Sequence, residues 1–465
     1  MKKPITNDIF YPRTLALIGI SPTTMGWAYT FSRFQGKVYG VNPHPQEILN
    51  LKVYPSLFDI NDEIDQAIVM VPNKIVPGVL EDCGRKGVKV VSVFTSGFSE
   101  IQTREGRRLQ EKVKEIAEKY GIILVGPNCV GLHNSRIGLN FTMERLGWHE
   151  GKVAFISQSG GLAQNFTIVG RRYGVDVLKA VSCGNSALYE PSDFLDFFKN
   201  DPEIELITLY VEGVKDGRKL LKSLSEATRK KPVIIWKSGR TAEGARAAGS
   251  HTGALTGTAN VWEAAIKQSR AVMVNGFLDL VYTTMTFNLA RLKGRNLGIV
   301  CISGGQSVEY TDIFHTAGLR IPLLSRETQR KVASIMPKFG VNTRNPLDIA
   351  AGWSSLEMID QSLKLLNTEK NINGIVVSID AHRERVLEFL EENRIKKLTD
   401  IIARLRSSIN IPIFVILTAT DMEETALTIF DELVGAKIPV YRDPAVAANC
   451  IKKLSDYSLG AAKQG

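Results

Sequence analysis

Residues 247–257 have the sequence AAGSHTGALTG, in which small and hydroxyl side chains surround one histidine, His251. Such a stretch offers little to a hydrophobic core, and its lack of bulky side chains lets a substrate approach closely. A neutral imidazole is an effective nucleophile near neutral pH. An isolated histidine more often has a surface or core role. Here the composition, with Lys237, Arg240 and Arg246 just before it, favours a functional site.

A second candidate site is the sequence ISQSGG, which runs from an apolar stretch into a predicted helix. The first N–H groups of a helix have no intrahelical acceptor, and the positive end of the helix dipole attracts anions. The turn therefore predicts a phosphate site, although a plain helix cap at Ser159 would also explain this sequence. The candidate phosphate-binding residues are Ser157, Gln158, Ser159, Gly160 and Gly161.

Short apolar, β-rich stretches alternate with helical stretches along almost the whole chain. They are continuously apolar, as in parallel strands buried on both faces, and the helices between them favour right-handed βαβ crossovers. The candidate strands are 15–20, 37–42, 66–72, 88–97, 122–128, 152–161, 178–185, 204–213, 231–239, 271–277, 296–305, 373–380 and 411–421. They form three series, which predict an α/β protein of three doubly wound sheets.

The second and third series resemble each other. Each runs from a strand through a Ser/Gly turn into a helix and a terminal glycine. The spacing from Gly161 to Gly174 equals that from Gly305 to Gly318. This pattern predicts an internal duplication of a flavodoxin-like unit.

The first series places glycine, proline and small polar residues at the carboxyl ends of its strands, where open α/β sheets bind ligands. Ordinary βα turns would explain any one of these loops, but explain all five together less well. The candidate ligand residues are Gly19, Ser21, Gly26, Asn42, Pro43, Val71, Pro72, Asn73, Ser96, Gly97 and Asn128. An NAD site usually has an acid after the second strand, so Asn42 at that place argues against a dinucleotide.

The composition narrows the class of protein. A chain of 465 residues is too long for one core, and its 44% hydrophobic residues are typical of a globular protein. No apolar run is long enough to cross a membrane, and the first residues do not resemble a signal peptide. Five widely spaced cysteines predict a cytoplasmic protein with no metal site. The net charge of +10 is spread over mixed runs, which argues against nucleic-acid binding and suits anionic small molecules.

The sequence KSGRTAEGARAAGSHTGALTGTANVWEAAIKQ, around His251, resembles the phosphohistidine segment of the ADP-forming acetyl-CoA synthetase α subunit. The chain is more distantly similar to the succinyl-CoA synthetase α subunit. GIS, VNP, VVSVFTSGFSE and GPNCVG fall where the family has its coenzyme A loops. The resemblance implies a CoA-binding Rossmann-like domain over residues 1–147, a flavodoxin-like domain with the phosphohistidine over 148–292 and a second flavodoxin-like domain over 293–465.

The resemblance also implies an NDP-forming acid–CoA ligase, which interconverts acyl-CoA, phosphate and ADP with a carboxylic acid, CoA and ATP. His251 would carry the phosphoryl group, and Glu212 would accept a hydrogen bond from the phosphorylated imidazole. From the residues alone, Glu212 would be interpreted as a helix-entry or surface carboxylate. Since no Walker A sequence or ATP-grasp segment is found, the resemblance implies a separate ATP-grasp β subunit, holding ADP or ATP with Mg, in a heterotetramer.

Two other functions stay open from the sequence. A non-catalytic CoA-sensing or regulatory module of the same architecture would not need His251. An NAD(P)-binding Rossmann oxidoreductase would need an acid where Asn42 stands.

Overall fold

The computed structural model describes residues 2–45, 48–142, 151–244, 246, 258–336 and 342–461. Within these ranges the strands form three sheets, as the sequence predicts. The chain folds into two compact units, one of Met1–Arg171 with Val175–Leu280 and the other of Arg172–Gly174 with Val281–Gly465. The first unit contains two of the sheets, and the second unit contains the third.

The first sheet has the strands β1 (Thr14–Ile18), β2 (Lys37–Val41), β3 (Val53–Tyr54), β4 (Gln66–Val69), β5 (Val90–Val93) and β6 (Ile123–Val125). Its helices are α1 (Met25–Thr30), α2 (Val76–Lys86) and α3 (Arg104–Tyr120). All strands are parallel, in the order β3-β2-β1-β4-β5-β6. This is the order of dinucleotide-binding sheets, and it opens a ligand crevice between the carboxyl ends of β1 and β4.

The second sheet has the strands β7 (Gly131–Asn134), β8 (Val153–Ser157), β9 (Val177–Ser182), β10 (Leu206–Val211), β11 (Val233–Lys237) and β12 (Val272–Val274). Its helices are α4 (Gly160–Arg172), α5 (Pro191–Phe198), α6 (Gly217–Ala227) and α7 (Ala259–Ser269). The order is β12-β11-β10-β8-β9-β7, with β7 antiparallel to β9. Without β7 this is the flavodoxin-like order, which has its ligand site at the end of β8.

The third sheet, in the second unit, has the strands β13 (Leu297–Cys301), β14 (Leu347–Asp348), β15 (Gly374–Asp380), β16 (Ile413–Thr418) and β17 (Val440–Tyr441). The helices of this region are α8 (Phe277–Leu289), α9 (Gly304–Thr316), α10 (Arg326–Ile335), α11 (Leu356–Thr368), α12 (Ala381–Glu388), α13 (Arg394–Ser408), α14 (Glu423–Gly435) and α15 (Pro444–Ala461). All strands are parallel, in the order β14-β13-β15-β16-β17, which is again flavodoxin-like.

The internal similarity read from the sequence corresponds to equivalent places in the two flavodoxin-like sheets. β8 and β13 are each the first strand, in chain order, of their flavodoxin-like arrangement, and α4 and α9 are the helices that follow them. Gly174 and Gly318, which follow these helices, have φ values of +68° and +91°. Only glycine adopts this left-handed conformation readily, which explains why the terminal glycine recurs at the same spacing.

Each unit has its own core of buried aliphatic and aromatic side chains. All five cysteines are buried free thiols. Among the described residues, no helix is both long and apolar enough to cross a lipid bilayer.

The amino-terminal residues are attached to the second sheet through one buried charge. Lys179, in the middle of β9, has no exposed side-chain surface. Its Nζ donates to Asp201 at 2.7 Å, to Glu203 at 2.6 Å and to Asn7 at 2.7 Å. A buried ammonium is tolerated only with such partners, and Asn7, in the short 3-10 helix Asn7–Phe10, supplies one of the three.

Strand β7, which the sequence did not predict, contains a buried histidine, His133. Its Nδ1 lies 3.1 Å from Asn140 Oδ1, and its ring centre is 5.2 Å from that of Phe141. Burial lowers the pKa of His133 from 6.5 to about 4. The imidazole is therefore neutral in the folded protein across the mildly acidic range.

His133→Gln is expected to reduce the acid sensitivity of the fold. Between pH 6.5 and about 4 the unfolded chain binds a proton at His133 and the folded protein does not, so wild-type stability falls as the pH falls. As the pH falls through this range, the free energy of unfolding of the wild type should therefore decrease more than that of the variant, as measured by urea unfolding. His315→Gln, in α9, controls for the loss of an exposed imidazole. A difference that does not change with pH would contradict the assignment.

Candidate active site

The carboxyl ends of the two sheets in the first unit open into a common cleft of about 600 Å³. The first sheet contributes the loops after β5 and β6, and the second contributes those after β8, β9 and β10. The lining residues are Phe94, Ser96, Asn128, Cys129, Val130, Gln158, Ser159, Gly160, Gly161, Gly184, Asn185, Tyr210 and Glu212. Two predicted CoA residues, Ser96 and Asn128, thus lie in one cleft with most of the predicted phosphate turn and with Glu212.

The predicted phosphate turn is the passage from β8 into α4. Ser157 is buried, and its Oγ accepts from the N–H of Ser159 at 3.1 Å and donates to the Ser159 carbonyl at 2.7 Å. Ser159 Oγ accepts from the N–H of Leu162 at 3.3 Å, so Ser159 caps the helix and also lines the cleft. Gly161 is exposed, and no atom lies within 4 Å of where its Cβ would be. The helix N-terminus therefore has room for an anion.

Glu212 follows β10 directly, and it is buried, with 8% of its surface exposed. Its interpretation as a surface carboxylate is therefore wrong. Tyr210 Oη donates to Glu212 Oε1 at 3.0 Å. Gln158 Oε1 accepts from the N–H groups of Glu212 and Gly213 at 2.6 and 3.1 Å. The phosphate turn itself thus fixes the position of Glu212.

Lys237, at the end of β11, is a buried cation beside Glu212. It lies opposite Val211 in the parallel pairing of β10 with β11, and only 1% of the residue is exposed. Its Nζ donates to the carbonyl of Ser238 and is 5.0 Å from the ring centre of Trp262. Burial lowers the pKa of Lys237 to about 8, and attraction to the Glu212 carboxylate opposes that shift.

Other predicted CoA residues surround the crevice between β1 and β4. Gly19 has a φ of +89°, and a Cβ there would lie 2.7 Å from Val71 Cγ1, so only glycine fits between these loops. Asn42 Nδ2 donates to the carbonyl of Ile20 at 2.8 Å, which joins the loops after β1 and β2. Asn42 thus has a structural role at the place where a dinucleotide site has its acid.

The remaining predicted CoA residues are distributed along the same edge of the first sheet. Asn73 Nδ2 donates to the carbonyl of Gly97 at 2.7 Å, which joins the loops after β4 and β5. Gly97 has a φ of +97°, and its Cβ would lie 2.5 Å from Asn73 Nδ2. The others are Ser21, which precedes α1, Gly26 within α1, Pro43 after β2 and Pro72 after β4.

Six lining residues were not among the candidate site residues. Phe94, Cys129 and Val130 lie in the quoted CoA loops, whereas Gly184, Asn185 and Tyr210 lie outside them. Gly184 and Asn185 belong to the stretch CGN after β9, which has the same residue types that marked the ligand loops of the first sheet. That signal was available. Tyr210 lies within the apolar strand β10 and carried no signal, because its hydroxyl is placed only by the pairing of the strands.

His251 and the rest of residues 247–257 lie outside the described residues. The elements on either side, β11 and α7, belong to the second sheet and its helices. β11 is parallel to β10, so the chain leaves Lys237 at the same edge of the sheet at which Glu212 lies.

A parallel sheet of dinucleotide-binding order and a flavodoxin-like sheet that share one ligand cleft define a ligand-binding α/β protein of the CoA-ligase class. Comparison with family models agrees with this class. Residues 13–135 match the CoA binding domain, and residues 150–287 match the succinyl-CoA ligase like flavodoxin domain.

The chain is similar to acetate–CoA ligases that form ADP. It is 36% identical over 372 residues to the α subunit of acetate–CoA ligase (ADP-forming) II of Pyrococcus furiosus, covering 79% of this chain and 80% of that protein. It is 39% identical over 378 residues to acetate–CoA ligase (ADP-forming) I of Archaeoglobus fulgidus, covering 80% of this chain and 54% of that protein. This chain thus spans about half the length of the latter relative.

A solved structure shows the same fold over almost the whole chain. It is the dinucleotide-forming acetyl-coenzyme A synthetase 1 of Candidatus Korarchaeum cryptofilum in complex with phosphate and ADP. The TM-score is 0.83 at 29% identity, with 97% of each chain covered. The chain therefore belongs to the family of ADP-forming acetyl-CoA synthetase α subunits, as its sequence predicted. These relatives do not favour the NAD(P)-dependent or the purely regulatory alternative.

Lys237→Met is expected to change how stability depends on pH. Between about pH 8 and pH 10.5 the folded protein has lost the Lys237 proton and the unfolded chain still binds it, so wild-type stability rises with pH there. As the pH rises through this window, the free energy of unfolding of the wild type should therefore increase relative to that of the variant. Urea unfolding measures this difference, with Lys237→Arg as the variant that keeps a cation. A constant difference across the window would show that the ammonium is not buried as described.

Proposed function

We propose that this chain is the α subunit of an NDP-forming acyl-CoA synthetase and that its cleft catalyses exchange between acyl-CoA, phosphate and acyl phosphate. The observation that supports this best is the meeting, in one cleft, of the CoA loops of the first sheet with the phosphate turn and Glu212 of the second. The first sheet alone has no phosphate turn, and the second sheet alone has no CoA loops, so the reaction needs both.

In the first step, a phosphate oxygen attacks the thioester carbonyl of acyl-CoA. The C–S bond breaks, CoA leaves as the thiolate and takes a proton, and acyl phosphate remains. The phosphate binds at the N-terminus of α4, where the helix dipole and the free N–H groups stabilise its negative charge. Ser159, Gly160 and Gly161 form that end of the helix.

In the second step, a nitrogen of the His251 imidazole attacks the phosphorus of acyl phosphate. The P–O bond to the acyl group breaks, and the carboxylic acid leaves as its carboxylate. Glu212 accepts a hydrogen bond from the other ring nitrogen, which stabilises the cationic phosphoimidazole. Tyr210 and Gln158 hold Glu212 in place, and Lys237 supplies a positive charge nearby.

The final step transfers the phosphoryl group from His251 to ADP, with the P–N bond breaking as the new P–O bond forms. We assign this step to a separate ATP-grasp β subunit, which binds ADP or ATP with Mg, in a heterotetramer. The name of the Pyrococcus furiosus relative, an α subunit, supports a second chain.

The proposed domains are residues 1–147, 148–292 and 293–465, with CoA held by the first and the phosphohistidine by the second. One sheet falls in each of the three ranges, apart from β7, which joins the second sheet from the end of the first range.

His251→Ala is expected to abolish phosphorylation of the chain by labelled acetyl phosphate, because the proposal assigns the phosphoryl group to this imidazole. The label on the wild type should be stable in base and lost in acid, as for a phosphoimidazole. CoA binding, measured by calorimetry, should be unchanged. His315→Ala controls for loss of an unrelated histidine. Label that persists in His251→Ala would place the nucleophile elsewhere.

Glu212→Gln is expected to slow phosphorylation by at least about tenfold, which is the size of one lost charge-assisted hydrogen bond. The carboxamide keeps the shape and the contact with Tyr210, so CoA affinity should stay within about twofold of the wild type. Quenched-flow labelling with acetyl phosphate measures the rate. A wild-type rate in Glu212→Gln would reduce Glu212 to a structural role.

A further inference from the structure

Asn185, after β9, makes contacts that cross from the second sheet to the first. It is 8% exposed and lies in the wall of the cleft. Its backbone N–H donates to the carbonyl of Pro127 at 2.9 Å. Its side-chain carbonyl accepts from Asn128 Nδ2 at 3.3 Å, and its Nδ2 donates to Glu100 Oε2 and, at 3.0 Å, to Gln110 Oε1.

The two acceptors of the Asn185 amide hold the loop after β5. Glu100 accepts from the N–H groups of Gly97 and Phe98. Gln110 Oε1 accepts from Ser99 Oγ at 2.6 Å. The loop Thr95–Ser99, which contains the predicted CoA residues Ser96 and Gly97, is therefore linked through this carboxamide to the segment after β9, in addition to its contacts with Asn73 and Asn128 in the first sheet.

Both hydrogens of the Asn185 amide are donated within the protein, so this group has none left for a ligand. Its contribution must therefore be the placement of other groups. The contact with Glu100 is a hydrogen bond to a carboxylate, which is stronger than one between neutral groups.

We propose that Asn185 is a positioning residue for coenzyme A, holding the loop after β5 and the Asn128 side chain in their binding conformation from the phosphate-binding sheet. This inference rests on the proposed function. Without the amide, Glu100 loses a donor and the loop loses its attachment to β9. CoA must then order that loop at a cost in affinity.

Asn185→Ala is expected to raise the dissociation constant of CoA by about tenfold, the effect of one lost charge-assisted hydrogen bond. Calorimetric titration of the full chain with CoA measures it. Phosphorylation of the same variant by labelled acetyl phosphate, which does not use the CoA loop, should stay within about twofold of wild type. A general loss of structure would lower both. Asn200→Ala, an exposed asparagine after α5, is the matched control and should change neither.

A double-variant cycle tests whether the effect passes through the carboxylate. Glu100→Gln should also weaken CoA binding. The double variant Asn185→Ala/Glu100→Gln should bind CoA no more weakly than whichever single variant binds it less tightly, because both substitutions remove the same hydrogen bond. Gln110→Ala should give a smaller loss in the same direction, and it tests the inference even if Asn185→Ala does not fold. Wild-type CoA affinity in Asn185→Ala would overturn the proposal, as would additive losses in the double variant. If Asn185→Ala does not fold, wild-type CoA affinity in Gln110→Ala would overturn it instead. Failure of the wild type to bind CoA would instead overturn the proposed function.

Discussion

One close backbone contact fixes how the two ligand-binding edges of the first unit meet. At Gly184, where φ is +52°, a Cβ would lie 2.2 Å from the carbonyl oxygen of Pro127 and 2.3 Å from that of Asn128. Only glycine therefore lets the loop after β9 rest directly on the loop after β6. β7 supports the same alignment, since it follows β6 in the chain and pairs with β9. Every group in the shared cleft depends on this alignment.

Within the cleft, groups of opposite charge lie close together. The positive end of α4 faces the cleft, and Glu212 lies beside it with Lys237 behind. A carboxylate next to a phosphate site would repel the phosphate unless a cation or a hydrogen-bond donor lay between them. A protonated imidazole or a phosphoimidazole can fill that place. This arrangement of charges agrees with the proposed role of a histidine in phosphoryl transfer.

Much of this structure could be predicted from residue patterns. Continuous apolar stretches marked the long strands because parallel strands are buried on both faces. The short strands β3, β14 and β17 have only two residues each, too few for a pattern. β7 was missed because its residues, GLHN, include a glycine and an asparagine, which are depleted in strands.

Site residues could be predicted where a turn or a helix start requires a particular residue type. They could not be predicted where their position depends on how the strands pack. Gly19 and the turn at Ser159 were identified because a turn and a helix start require those residue types. The burial of Glu212 was not, because a single glutamate after a strand has the same sequence signal whether it faces solvent or a cleft. Lys237 was noted only as a cation near His251, and its position next to the end of β10 follows from the register of β10 with β11.

The buried ammonium of Lys179 has a consequence for synthesis on the ribosome. Its partner Asn7 lies 172 residues earlier in the chain, and its carboxylate partners Asp201 and Glu203 come later still. The earliest residues to emerge therefore reach their final contacts only after both flavodoxin-like strands β8 and β9 and the residues up to Glu203 have been made. The contacts of Lys179 therefore tie the start of the chain to residues of the second sheet that are made much later.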